Sequence, residues 1–223
     1  MKLVNQSQVE ALDPAFGRMA AQMGQHAWSL PQLTMREKTF VFLAADLCTA
    51  NIGFPLLTHA QTAVANGVSI AECIAAVRHL AAYAGYPTAA VALQQLQQLQ
   101  PGPPPDPQKT EAQPLPDDVR AELAELDPDF AAFYAEQFDQ RWSNGDLSPR
   151  ERALACIAVD VLNQTLDESL SLHVDLATTS GAGTEQIHAV LLLAAEYGAD
   201  KVWRALRVLR GRGSPADRNT VSP

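Results

Sequence analysis

The chain is poor in the residues by which most catalytic chemistry announces itself. Its 223 residues include only three cysteines, Cys48, Cys73 and Cys156, and no Cys-x-x-Cys pair. That is too few for a disulfide framework. All three lie in apolar stretches, where a free thiol usually packs as a small hydrophobe. There is no phosphate loop, no dinucleotide fingerprint, no His-Glu-x-x-His and no Gly-x-Ser-x-Gly, so the nucleotide-binding, metalloprotease and nucleophile-elbow classes are excluded. Without clustered metal ligands, no metal and no cofactor are expected. No run of about 20 apolar residues is present, so no membrane span is expected. No apolar segment follows Met1, so the expected location is the cytoplasm. Basic residues are scarce: 16 Lys and Arg stand against 25 Asp and Glu, a net charge of −9. Residues 1–100 carry five of each sign, and residues 101–223 carry eleven basic and twenty acidic. An acidic chain with no basic stripe is a poor partner for nucleic acid or anionic membrane.

What the chain has is a copy of itself. An offset of 114 residues places Leu12-Asp13-Pro14 on Leu126-Asp127-Pro128, Phe16 on Phe130 and Trp28-Ser29 on Trp142-Ser143. It then places Leu33 on Leu147, Arg36-Glu37 on Arg150-Glu151, Asp46 on Asp160, His59 on His173, Gly67 on Gly181 and Tyr83 on Tyr197. No gap is needed from Leu12 to Tyr83. The chain is a tandem duplication, and residues kept in both copies stand apart from those present in one. The first copy spans about 10–99 and the second about 117–211. Between them, 100–116 is a proline-rich linker for which an extended polyproline conformation is expected. Residues 212–223 read as a loose tail.

Each copy is helical in pattern, with Ala, Leu and Gln dominant and no alternating β-branched run. The spacing predicts helices near 13–27, 34–50, 54–66, 69–84 and 87–99, and again near 127–141, 148–165, 167–180, 184–197 and 200–211. Thr34 with Glu37, Ser148 with Glu151 and Ser69 with Glu72 form capping boxes. Gly67 and Gly181 sit where a left-handed helix end favours glycine. The helix after the first box of each copy is apolar nearly all round, so it belongs at the centre of its copy. The fold class is all-α.

Of five histidines only His59 and His173 are matched. Each lies on an inward helix face, as a proton donor and acceptor near neutral pH or as a hydrogen-bonded core residue. Asp46 and Asp160 each interrupt an apolar helix, where a carboxylate is costly unless paired. Each could orient the histidine, hold an arginine, stay protonated, or serve the core alone. Glu37 and Glu151 are explained by capping. Arg36 and Arg150, in a first helical turn, could meet a substrate carboxylate or hold an interface. Trp28 and Trp142 precede the central helix, either as a lid on the bundle or as a pocket wall. Tyr83 and Tyr197 are expected to close the core of their own copies.

These residues resemble a known family. The second copy has Leu147-Ser-Pro-Arg-Glu151, then His173, Gly181, Glu185-Gln-Ile187 and Glu196-Tyr-Gly198; the first has Arg36-Glu37, His59, Gly67, Glu72-Cys-Ile74 and Tyr83-Ala-Gly-Tyr-Pro87. The pattern is similar to that of the carboxymuconolactone decarboxylase family, also called alkylhydroperoxidase D-like. The resemblance implies two alkylhydroperoxidase D-like helical repeats packed as a pseudo-twofold pair. It also implies a homo-oligomer, a trimer of two-repeat chains forming a six-unit ring. One branch of the family decarboxylates a carboxylated lactone in aromatic catabolism without metal or cofactor. The other is a thiol peroxidase that uses Cys-x-x-Cys ahead of the histidine. Here those cysteine positions hold Ile52 and Pro55, and Leu166 and Ser169, while the peroxidase glutamate position holds Phe40 and Leu154. Thiolate chemistry by that route is therefore absent. The expected activity is cofactor-free decarboxylation or isomerisation of a small carboxylated lactone or related acid. His59 and His173 would be general acids, Asp46 and Asp160 their orienters, Arg36 and Arg150 carboxylate anchors, and Trp28 and Trp142 substrate walls. The alternative is a non-catalytic, ligand-binding or oligomeric member with structural histidines; alkylhydroperoxidase-type antioxidant activity is a distant third, disfavoured by the absence of Cys-x-x-Cys.

Overall fold

A computed structural model describes residues 4–104, 112–143 and 145–212. The first repeat comprises α1 (Gln6–Leu12), α2 (Pro14–Ser29), α3 (Met35–Cys48), α4 (Phe54–Ala65), α5 (Ile70–Ala84) and α6 (Tyr86–Leu96). The second comprises α7 (Asp117–Leu126), α8 (Pro128–Trp142), α9 (Pro149–Asn163), α10 (Glu168–Thr179), α11 (Thr184–Ala194), a 3-10 turn at Ala195–Tyr197, and α12 (Ala199–Arg212). No strand occurs among the described residues.

The helix starts follow from local chemistry used twice. Asp13 accepts the Phe16 amide at 2.7 Å and Asp127 the Phe130 amide at 2.8 Å, with proline at the first helical position of each. All three capping boxes form. Gly67 and Gly181 adopt φ of 97° and 84°, which ends α4 and α10 at equivalent points. Two helices escape the sequence pattern, α1 and α7. Neither has a fully buried residue; in α7 the apolar stripe is short, Val119 and Leu123 packing partly buried against the core beside exposed Leu126. α1 lies so close to α2 that a Cβ on Gly17 would stand 2.5 Å from the Glu10 backbone.

The uniformly apolar helices α3 and α9 are the central pair. They pack on each other, and each gathers the later helices of its own repeat around it. α5 also reaches α9, and α11 reaches α3, so the two repeats exchange equivalent contacts as a twofold pair does. The charges at the seam repeat this exchange. Arg36 Nε donates to Glu151 at 2.7 Å, and Arg150 Nε donates to Glu37 at 2.6 Å. Arg36 also reaches Glu72, and Arg150 reaches the Gly181 carbonyl at 2.7 Å.

The linker departs from a free extended spacer. Its ends are docked: Ile70 donates to the Pro101 carbonyl at 2.9 Å and Gln113 to the Trp142 carbonyl at 3.2 Å. Leu115 is buried in the core, an apolar side chain that the surrounding prolines mask in the sequence. Residues 105–111 of the linker and 213–223 of the tail lie outside the described residues, while Gly211 and Arg212 close α12.

Candidate functional site

Two matched hydrogen bonds link the central helices to their neighbours. Asp46 on α3 meets His59 on α4, Oδ2 to Nδ1, at 2.8 Å. Asp160 on α9 meets His173 on α10 in the same way at 2.6 Å. Both aspartates are buried, and pairing is what makes their burial tolerable. Tyrosines complete both sites, but they come from the opposite repeat. Tyr197 donates to Asp46 Oδ1 at 2.8 Å and lies 3.4 Å from His59 Nδ1. Tyr83 lies edge-on to His173 with ring centres 5.3 Å apart, and its hydroxyl accepts from Trp142 Nε1 at 2.8 Å. The expectation that each tyrosine closes its own core is therefore corrected, because the twofold packing brings α5 and α11 across the seam.

From here the two sites diverge. His59 lines a cavity of about 550 Å³, with 13% of its side chain exposed. Trp28, Phe16, Phe54, Pro55 and Leu12 supply apolar wall, and Asn51, Thr58, Thr62, Tyr197 and Glu196 supply polar wall. The volume suits a small organic molecule. Phe42 stacks on the His59 ring at 4.6 Å and Trp28 stacks on Phe42 at 4.8 Å, which fixes the imidazole in an aromatic layer. Burial opposes charge on His59. Asp46, by its charge and its hydrogen bond, and then Glu196 outweigh that burial and raise the pKa above the ordinary histidine value. Burial is also the main cause of the raised Glu196 carboxyl, which His59 partly offsets. Burial and the neighbouring Asp46 keep the Tyr197 phenol well above its usual range, so it acts as a proton-bearing donor.

His173 has no such opening. It is fully buried, and its Nε2 has no hydrogen-bond partner. Asp160 Oδ1 is held by Thr165 at 3.0 Å and Ser169 at 2.6 Å. A cavity of about 1020 Å³ does exist in this repeat, lined by Thr165, Ser169, Leu172, Leu176 and Tyr134. At the 114-residue offset these are the counterparts of Asn51, Pro55, Thr58, Thr62 and Ala20, all of which line the first cavity. Neither His173 nor Trp142 lines the second. The reason lies in two positions on one face of α2 and α8. Where α2 has Ala20 and Gly24, α8 has Tyr134 and Phe138. Phe138 is buried and stacks on Trp142 at 4.9 Å with planes 8° apart, and Tyr134 stacks on Phe138 at 6.4 Å. Two aromatic rings fill the space that is open in the first repeat. Burial raises the Cys156 thiol pKa, and the adjacent His173 opposes that shift. Burial also opposes charge on His173, but Cys156 and Asp160 beside it raise its pKa to about 10.

Arg36 and Arg150 line neither cavity. Both are committed to the cross-repeat carboxylates, because the first turns of α3 and α9 face each other at the seam. Trp28 reaches the open cavity; Trp142 is buried beneath Phe138. A further matched basic pair, Lys38 and Arg152, seats these tryptophans: Lys38 Nζ donates to the Trp28 carbonyl at 2.7 Å and Arg152 Nη1 to the Trp142 carbonyl at 2.5 Å. Its signal was present in the 114-residue register, though as a Lys set against an Arg. Among the described residues no group of three His, Cys, Asp or Glu could hold a metal ion, and no helix is long and apolar enough to cross a membrane.

Comparison with known families matches the chain twice, at residues 14–98 and 128–211, to the carboxymuconolactone decarboxylase family. The chain belongs to that family. A candidate gamma-carboxymuconolactone decarboxylase subunit from Burkholderia xenovorans LB400 has a similar solved structure. The match is 21% identical, covers 96% of this chain and 93% of that one, and has a TM-score of 0.53. At that identity the likeness speaks for the fold. No curated protein matches the chain. Within the family fold, this chain therefore joins one repeat whose histidine borders a cavity to another whose histidine is sealed.

Proposed function

We propose that the first repeat carries a cofactor-free acid–base site, with His59 as general acid, and that His173 is structural. The observation supporting this is the contrast between one imidazole on a cavity and its matched counterpart under two aromatic rings. Decarboxylation of a small carboxylated lactone or related acid releases carbon dioxide and leaves an enolate-like carbanion that His59 protonates; isomerisation would reach the same carbanion by passing a C–H proton to neutral His59, which then returns it at the new carbon. Asp46 occupies Nδ1, so the remaining nitrogen of His59 is the one available to the ligand. Asp46 favours the imidazolium, Tyr197 fixes Asp46, and the aromatic wall keeps water from competing. Among the described residues no Lys or Arg lines the cavity, so the His59 imidazolium, with Asn51 and Thr58, would meet the ligand carboxylate in place of the arginines.

The test is turnover of a panel of carboxylated lactones and related acids, followed by carbon dioxide release and by deuterium uptake from heavy water. His59→Gln should abolish both signals and His173→Gln should leave them. Equal loss in the two variants would overturn the assignment of roles. The lack of Lys and Arg among the described lining residues favours a second reading, a binding site for a neutral ligand without turnover. In that case wild-type protein would bind the uncharged methyl esters of panel members more tightly than the acids, and would release neither carbon dioxide nor deuterated product.

A further inference from the structure

We propose that the basic outer face of α12 docks into the acidic groove of the second repeat on another copy of this chain. α12 buries Val202 and Ala205 against its own repeat. Its opposite face carries Trp203 (67% exposed) and Leu206, with Arg204, Arg207 and Arg210 exposed beside them. Spacings of three, four and seven residues place Trp203, Leu206, Arg207 and Arg210 on one stripe. An aromatic and a leucine set among arginines is the composition of an interface anchor.

The complementary surface is the second-repeat cavity. Val119, Leu123, Leu126, Leu172 and Leu176 form its apolar floor, and Leu126 is 75% exposed. Asp118, Glu122, Asp167 and Glu168 ring it, all exposed, and among the described residues no Lys or Arg lines it. Tyr134 and Phe138 cut this groove off from His173, so it has no catalytic histidine to serve. Both partners of the match belong to the second repeat alone. α6, the last helix of the first repeat, reads Tyr-Pro-Thr-Ala-Ala-Val-Ala-Leu-Gln-Gln-Leu and carries no charge. Among the described residues, the first cavity has Glu196 as its one acidic lining residue. The acidic excess of the second half and its arginine-bearing last helix are thus two sides of one contact. Trp203 and Leu206 would cover Leu123 and Leu126 while the arginines meet the rim carboxylates, bidentately where geometry allows. Two copies exchanging α12 reciprocally bury both faces.

Mass by light scattering over a concentration series, at low and at molar salt, tests the proposal. Wild type should assemble, and salt should weaken the assembly because the rim charges are solvated. Arg204→Glu with Arg207→Glu and Arg210→Glu should weaken self-association by about tenfold or more. Glu122→Lys with Glu168→Lys should do the same. All these positions are exposed, and unchanged circular dichroism and melting temperature would establish that both variants fold. The decisive sample is the mixture: each variant alone repels itself, and together they should form a mixed assembly. A wild-type chain that stays monomeric at low salt overturns the proposal, as does an assembly indifferent to both charge reversals or a mixture that does not associate. A monomer that is stabilised by a polyamine would make the groove a small-cation site and equally overturn it.

Discussion

The Tyr197 hydroxyl of the second repeat donates to the Asp46 carboxylate of the first at 2.8 Å, and the other oxygen of that carboxylate holds His59. The first site is therefore completed by a side chain more than a hundred residues away. Tyr197→Phe removes one donor from a buried carboxylate, a loss of about 1–3 kcal/mol. The expected outcome is lower stability together with lower kcat in the proposed reaction. Tyr83→Phe should lower stability and leave kcat unchanged, because its hydroxyl serves Trp142 beside the sealed histidine. Melting curves and single-turnover rates distinguish the two.

The pH dependence follows from the direction of the His59 shift. Its pKa is raised by Asp46 and Glu196 against the opposing effect of burial. A general acid must be protonated, so kcat/KM should hold to pH values above 6.5 and fall as pH rises through the raised pKa. Asp46→Asn removes the charge that favours the imidazolium while burial remains. The falling limb should then move to lower pH. A limb that does not move would remove Asp46 from the assigned role.

The His173–Asp160 pair bears on stability. Its folded pKa of about 10 lies above the ordinary 6.5. Its stabilising contribution is therefore fully present below about pH 6.5 and is lost as pH rises through about 10. Asp160→Asn leaves the buried ring without its carboxylate, at a cost of about 3 kcal/mol near neutral pH. The difference from wild type should shrink in alkaline denaturant titrations.

The aromatic plug is exchangeable in principle, since α2 and α8 align without a gap. Ala20→Tyr with Gly24→Phe should fill the first cavity and abolish ligand binding with the fold intact. The reverse pair, Tyr134→Ala with Phe138→Gly, should open a path to His173 and cost about 3–5 kcal/mol for the lost core ring. Thermal shift with a small apolar ligand would report the new cavity as stabilisation absent from the wild-type second repeat.

At the seam, Arg36→Ala leaves Glu151 and Glu72 buried without this cation, and stability should fall by about 3–5 kcal/mol. Lysine should rescue this poorly, since it lacks the planar fork that serves two carboxylates. Turnover per folded molecule should be unchanged, because Arg36 lines neither cavity. A selective loss of turnover in Arg36→Ala would restore the arginine as a substrate anchor.

Much of this architecture was legible in the residue order, for identifiable reasons. Thr34, Ser69 and Ser148 each stand three residues before a glutamate, and capping is a local interaction that needs no tertiary context. α3 and α9 were marked as central because a helix apolar on every side has no face to give to water. The pairing of Asp46 with His59 was one of several open options, since a buried carboxylate must find some partner and the sequence does not say which. α1 and α7 are hard to read from the residue order because neither has a fully buried residue, and the apolar stripe of α7 is short. Leu115 hid among prolines.

The sequence by itself determined that there are two all-α repeats, where most helices start, and which imidazole and carboxylate recur in both. Those features depend on short-range hydrogen bonding and on the period of apolar residues, which the order of residues records directly. Only the tertiary structure decided that the arginines close the seam, that each tyrosine serves the opposite repeat, and that one histidine meets a cavity while its twin does not. Those outcomes depend on which side chains meet across α3 and α9. They depend equally on whether two positions of one helix hold Ala and Gly or two aromatic rings, a matter of filled volume that becomes visible only when the helices are packed.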